Sequence, residues 1–245
     1  MLKGKKIVLG VTGGIAVYKA VDLVSKLRKQ GAEVRVVMTE HAQQFVTPLT
    51  FKEISSNKVA VSMWNANQEF NVEHIALADW ADLFMVVPAT ANIIAKMAYG
   101  IADDLLSTTL LAAHSPVIVC PAMNTHMYEN PATQENIAKI KSRGIVVMPP
   151  ASGVLACGAV GAGRLPEPAD IVNFVKDFFA KTEGDMRGLK VLVTAAGTRE
   201  PIDPVRYVGN RSSGKMGYSI AQAAAERGAE VTLVTGPSAP TPPPH

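Results

Sequence analysis

The sequence predicts an α/β protein: a Rossmann-like (flavodoxin-like) three-layer parallel sheet, followed by a partial second α/β unit. Two observations carry this. Short β-branched runs alternate along the chain with segments of helical spacing, and the strand runs are apolar almost throughout, as in parallel sheets covered on both faces. With 245 residues, of which 48% are hydrophobic and 18% charged, the chain exceeds the roughly 100–200 residues of a typical domain and can bury a sizeable core.

The strands are expected over 6–11, 33–39, 83–88, 116–121 and 145–148, and the helices over 15–30, 48–55, 91–99, 103–113, 131–143 and 169–181. In the first helix the spacing places Ile15, Val17, Ala20, Val21, Val24 and Leu27 on the apolar side and Lys19, Asp22, Lys26 and Lys29 opposite, with Gly31 as the stop. A polar linker, Thr182-Glu183-Gly184-Asp185, separates a first domain over 1–182 from a second segment over 187–245. That segment reads as a strand over 189–194, a long loop over 195–214, a helix over 216–227 and a strand over 230–235. A lone βαβ unit cannot cover its own sheet, and a Pro-rich tail follows, so the chain is expected to be part of a longer parent.

The formal charge of +3 comes from scattered Lys and Arg rather than a run, which argues against nucleic acid or a membrane surface as partner. The apolar run over 7–11 is too short for a signal-peptide core, and no stretch approaches a membrane span, so a cytoplasmic location is expected. The two cysteines, Cys120 and Cys157, are then expected as reduced thiols. Cys120 ends an apolar strand and reads as a packed core residue.

In sheets of this kind ligands sit at the carboxyl ends of the strands. Thr12-Gly13-Gly14, between strand and helix, offers backbone N–H groups and a hydroxyl to a phosphate; the bland alternative is a tight turn without a ligand. It is not a G-x-G-x-x-G fingerprint, and Thr39 stands where a ribose-binding acid would close the second strand, which favours a mononucleotide such as FMN over NAD. His74, ahead of Trp80-Ala81-Asp82, can reach the ligand edge as a proton carrier, or be a surface or capping residue. Asn124, in Pro121-Ala122-Met123-Asn124, can engage a carboxylate or amide, or cap the next helical turn. Cys157 lies in a glycine-rich segment with no helical or strand pattern, read as a mobile loop over a ligand. His41, His114 and His126 show no metal-like pairing, and no metal is expected.

Together, His74 ahead of Trp80-Ala81-Asp82, Pro121-Ala122-Met123-Asn124 with Met127, and Ala156-Cys157-Gly158 leading to Gly163-Arg164-Leu165-Pro166-Glu167-Pro168 resemble the homo-oligomeric flavin-containing cysteine decarboxylases, over residues 4 to 180. The Cys157 segment and the domain that follows point to the coenzyme A branch of that family. Residues 187–245, through Asp203 to Gly217, resemble the start of phosphopantothenate–cysteine ligase, which is fused behind the decarboxylase in many bacteria.

The resemblance implies decarboxylation of 4′-phosphopantothenoylcysteine to 4′-phosphopantetheine. It places FMN with its phosphate near Gly13, Gly14, Ile15 and Thr39, and its ring near Thr90, Ala91, Asn92 and Ala122. It implies that flavin oxidises the cysteinyl CH2–SH to a thioaldehyde with His74 assisting as base, so that loss of carbon dioxide leaves an enethiolate. Asn124 holds the substrate carboxylate or amide, and Cys157 protonates the enethiolate as reduced flavin returns hydride. Arg164 is expected to steady the loop or meet the substrate phosphate. Asn210 is implied to engage an acyl-cytidylate, with CTP and Mg2+ serving only the ligase of the full-length parent, and a trimer-based assembly, up to a dodecamer, is implied. The alternative reading is a non-catalytic flavin-binding regulator.

Overall fold

The computed structural model describes residues 2–64, 73–154 and 160–236, and these form two compact units, 1–172 and 173–245. In chain order the first contains β1 (Lys6–Val11), α1 (Val17–Lys29), β2 (Glu33–Met38), α2 (Glu40–Gln43), α3 (Pro48–Ser55), β3 (Val59–Ala60), α4 (Glu73–Trp80) and β4 (Leu83–Ala89). It continues with α5 (Ala91–Tyr99), α6 (Leu105–Ala112), β5 (Val117–Pro121), α7 (Thr125–Glu129), α8 (Pro131–Ser142), β6 (Val146–Val147), β7 (Ala151–Val154) and β8 (Val160–Arg164). Helix α9 (Pro168–Glu183) runs on into the second unit, which holds β9 (Lys190–Ala195), β10 (Arg199–Pro201), β11 (Tyr207–Gly209), α10 (Lys215–Glu226) and β12 (Glu230–Thr235).

Six parallel strands form one sheet in the order β3-β2-β1-β4-β5-β6. This is the Rossmann order; without the two-residue edge strand β3 it is the flavodoxin order, so the two fold names describe the same wiring. After β1 the chain builds outward through β2 and β3, then returns to place β4 on the other side of β1. The reversal lies between β1 and β4, and the loops leaving their carboxyl ends diverge there.

β4 is buried at every position, and β1 at all but Lys6, as strands covered on both faces must be. One face carries Val8, Phe84, Val86 and Val119 against Ile93, Ile94 and Ala98 of α5, Leu105 and Leu106 of α6, and Ile137 and Ile140 of α8. Helices α1 and α3 pack together.

Several expectations need correction. Ile15 is 63% exposed and precedes α1, whereas Lys19, placed on the polar side by spacing, is buried. A helix wheel assumes one apolar neighbour, and here Lys19 meets acceptors from a distant segment. The stretch over 155–168, read as patternless, contains β8, which pairs antiparallel with β7 just before it. The long loop over 195–214 contains another antiparallel pair, β10 with β11. Both are built on short strands, and β8 contains two glycines, so neither shows an alternation of side chains to read.

In the second unit β9 and β12 pair in parallel. Gly217 lets α10 close on them, because a Cβ there would lie 2.5 Å from that of Ala195. Val193 and Ala195 are buried, while Leu192, on the opposite face of β9, is 68% exposed.

Between α5 and α6, Lys96 Nζ lies 2.6 Å from Asp103 and 2.7 Å from Asp104. Asp104 also closes a capping box with Ser107 on α6. Burial raises the Asp104 carboxyl, but the bonds from Lys96 and Ser107 outweigh it and leave the group below its ordinary value. A lowered folded-state value means stability present above the unfolded pKa of about 3.9 and lost as pH falls through the folded one. Asp104→Ala is expected to cost about 1 kcal/mol at neutral pH. In urea titrations the gap between variant and parent should close as pH is lowered from about 5 to about 2.

Candidate functional site

At the carboxyl edge of the first unit's sheet, the strand ends are tied by a belt of hydrogen bonds. Thr39 N–H donates to Val11 O (3.0 Å), joining the loops after β2 and β1. The Thr12 hydroxyl, buried, donates to Pro88 O (2.7 Å) and accepts from Thr90 N–H (3.1 Å), bridging the point where β1 and β4 diverge. Ala122 N–H donates to Ala89 O (3.0 Å), and Met123 N–H to Gly163 O (2.9 Å), which brings in the loop after β5 and then β8.

The Thr12 hydroxyl is therefore committed to the protein, and the expectation that it serves a phosphate is corrected: its donor and acceptor are both spent in the core. Thr39 and Thr90 differ. Their oxygens accept from Ala42 N–H (3.3 Å) and Ile93 N–H (3.4 Å), capping α2 and α5. A capping hydroxyl still carries a proton to donate to a ligand.

Gly13 packs against α2, since a Cβ there would lie 2.5 Å from His41 Cβ and 2.7 Å from its carbonyl carbon. Gly14 has room for a Cβ among the described residues, the nearest neighbour being Thr90 Cγ2 at 3.9 Å. Helix α1, beginning just beyond, has no side-chain cap at Ala16 and no acidic residue in its first turn. Val17 N–H and Lys19 N–H already donate to Gly14 O and Ala16 O (3.0 Å each), so what this helix start offers an anion is chiefly the positive end of its dipole. Ile15 and Asn92 are exposed at this edge, next in the chain to Gly14 and to Ala91, and the start of α1 suits the anionic group of a flavin phosphate.

Asn124 stands at the end of this belt, and its Oδ1 accepts from His126 N–H (2.9 Å), so it does cap α7. His74 lies in the first turn of α4. A helix feeding a parallel strand runs antiparallel to it, which carries that first turn toward the carboxyl edge. Cys157 lies outside the described residues. Cys120 is fully buried, and burial pushes its thiol up to about 12.

Lys19 was legible only as a surface residue. Its ammonium donates to Leu165 O (3.2 Å) and Glu167 Oε1 (2.8 Å), and Glu167 Oε1 also accepts from Arg164 (2.6 Å). The bond from Lys19, with the charges of Lys19 and Arg164, holds the Glu167 carboxyl below its ordinary value despite some desolvation. Arg164 thus steadies the segment after β8.

The residues over 1–180 match the model of the family described as Flavoprotein. The chain belongs to the flavoprotein family. Residues 186–245 match a second model, the DNA/pantothenate metabolism flavoprotein C-terminal domain. The chain is similar to the coenzyme A biosynthesis bifunctional protein CoaBC of Vibrio vulnificus, at 52% identity over 242 residues, 98% of this chain and 60% of that protein. It thus spans about three fifths of that relative's length. Among solved structures, a cysteine-to-serine mutant of PPC decarboxylase complexed with pantothenoylaminoethenethiol superposes with a TM-score of 0.64 at 32% identity, over 72% of this chain and 99% of that one. The FMN binding protein AtHal3 does so with 0.62 at 32% identity, over 72% and 97%.

In the second unit of this flavoprotein, Asn210 borders a cavity of about 510 Å³ together with Gly197, Thr198, Arg199, Tyr207 and Arg211. Asn210 Oδ1 accepts from Ser212 N–H (3.1 Å) and leaves no room for a Cβ on Gly197. The Arg199 guanidinium lies 4.5 Å from the centre of the Tyr207 ring. No helix among the described residues is long and apolar enough to cross a membrane.

Thermal or urea unfolding without added flavin tests the Thr12 bridge and the Gly13–α2 contact. Thr12→Val keeps the shape but strands Pro88 O and Thr90 N–H, and is expected to cost about 1–3 kcal/mol, with Thr12→Ser close to the parent. Gly13→Ala must displace α2 and is expected to cost about 1–3 kcal/mol. Gly14→Ala, with space for its methyl, is expected to fall within about 1 kcal/mol of the parent.

Proposed function

We propose that this chain catalyses the FMN-dependent decarboxylation of 4′-phosphopantothenoylcysteine to 4′-phosphopantetheine, a step of coenzyme A biosynthesis. The observation that carries the reading is the belt, which presents Gly14, the uncapped start of α1 and the Thr39 and Thr90 hydroxyls on one side and Asn124 on the other. The likeness to PPC decarboxylase, to AtHal3 and to the bifunctional coenzyme A protein supports it.

In this reading Gly13, Gly14, Ile15 and Thr39 hold the FMN phosphate, and Thr90, Ala91, Asn92 and Ala122 border the ring. When bound, FMN supplies two-electron chemistry that is repaid within one turnover, so that the reaction has no net redox change. Asn124, its amide oriented by the His126 N–H, holds the substrate carboxylate or amide. His74 takes the thiol proton, and Cys157 returns a proton to the enethiolate carbon left by decarboxylation. Asn210 serves an acyl-cytidylate in the CTP- and Mg2+-dependent ligase of a longer parent. A trimer-based homo-oligomer in the cytoplasm completes the proposal.

The purified protein is expected to be yellow and, given 4′-phosphopantothenoylcysteine, to release carbon dioxide and 4′-phosphopantetheine by mass spectrometry. A yellow protein without turnover would point to the regulator reading, and a colourless one unable to take up FMN would overturn the proposal. His74→Asn is expected to lower kcat by about 10²–10⁴-fold while retaining flavin. Cys157→Ser should release carbon dioxide yet stall before 4′-phosphopantetheine; normal product yield would remove Cys157 from the mechanism.

A further inference from the structure

The ion pairs after β8 do more than close a surface loop. Lys19 is buried although it lies in the first turn of α1, immediately beyond the Gly13-Gly14 loop. A buried ammonium is costly unless fully paired, and an apolar side chain of similar volume would hold two segments together as well. What an ammonium adds is direction: its partners must sit at fixed distances and angles. Those partners, Leu165 O and Glu167, directly follow β8.

β8 in turn lies against the segment that carries Asn124. Gly163 O accepts from Met123 N–H, and a Cβ on Gly163, where φ is +128°, would collide with Met123 O. At Gly161 a Cβ would lie 2.6 Å from the Thr125 side chain. Bare backbone therefore lies on Met123–Thr125, and its far end is bolted to α1.

We propose that Lys19 and Glu167 are positioning residues which set Asn124 and its neighbours at a fixed distance from the loop at the start of α1. The inference deepens the decarboxylase reading and rests on it for its kinetic consequence: the substrate-side residues are registered to the cofactor-side loop through Lys19, Glu167 and β8. Arg164 shares Glu167 Oε1 and keeps that carboxylate turned toward Lys19.

The test compares Lys19→Met, Glu167→Ala, the double variant and the conservative Lys19→Arg. Glu167 is half exposed, so its variant should fold even if Lys19→Met does not. Each single variant is expected to bind FMN within about threefold of the parent but to lose tenfold or more in kcat/KM for 4′-phosphopantothenoylcysteine. The double variant should be no worse than the poorer single one, because both break the same connection. Lys19→Arg should recover most of the loss.

Hydrogen exchange supplies a readout that needs no turnover: the Met123 amide should exchange faster in Lys19→Met and Glu167→Ala, with β1 and β4 unchanged. Parent-like kcat/KM and parent-like exchange at Met123 in a folded variant would overturn the proposal, as would equal losses of FMN binding and turnover with faster exchange throughout. If the parent itself turns over no substrate, the decarboxylase reading fails, while exchange at Met123 still decides whether Lys19 and Glu167 fix this segment.

Discussion

The Thr12 hydroxyl holds the point on which the rest of the first unit depends. A parallel sheet whose order reverses between β1 and β4 must let two neighbouring chains part at their carboxyl ends. Backbone groups freed there have no ladder partners, and buried orphans are expensive. By donating to Pro88 O and accepting from Thr90 N–H, Thr12 pairs both with one atom.

From that bridge the belt extends both ways through backbone contacts: Thr39 to Val11, Ala89 to Ala122, Met123 to Gly163. Glycine appears where backbone must meet a neighbour without a side chain between, at Gly13 against α2 and Gly163 against Met123. With the Thr12 proton spent in the bridge, the hydroxyl protons of the capping Thr39 and Thr90 are what these loops keep for donation.

Which features were legible in the sequence follows from how far apart the interacting residues are. The helices over 48–55 and 91–99 and the strand over 6–11 have the expected bounds, because their spacing and local stop signals lie within a few residues. Asn124 was legible as either ligand group or cap because both roles use the same amide, and the cap is formed. Lys19 was misplaced because its partners lie 146 and 148 positions away; nothing in a helical wheel encodes them. The Thr12 bridge spans 76 positions and was equally hidden. The hairpin of β7 and β8 escaped for another reason: glycine at 153, 161 and 163 leaves little side-chain alternation to read, even where the backbone pairs.

The distribution of helix caps ties these strands of argument together. α2, α5, α6, α7 and α8 begin at Thr39, Thr90, Asp104, Asn124 and Asn130, each with a side-chain oxygen on a first-turn N–H. α3 lacks such a bond but starts with Pro48, which has no N–H to satisfy. α1 and α10 have neither device: their N-cap residues are Ala16 and Gly214, and neither first turn contains an acid. Each of these helices lies between the first strand of its unit and that strand's parallel partner. Both follow the first strand of their unit, where the five side-chain-capped helices do not. In the first unit that helix start lies beside Gly14 and the capping threonines, where the FMN phosphate is proposed to bind, and Lys19, two residues beyond it, connects it to the segment that carries Asn124.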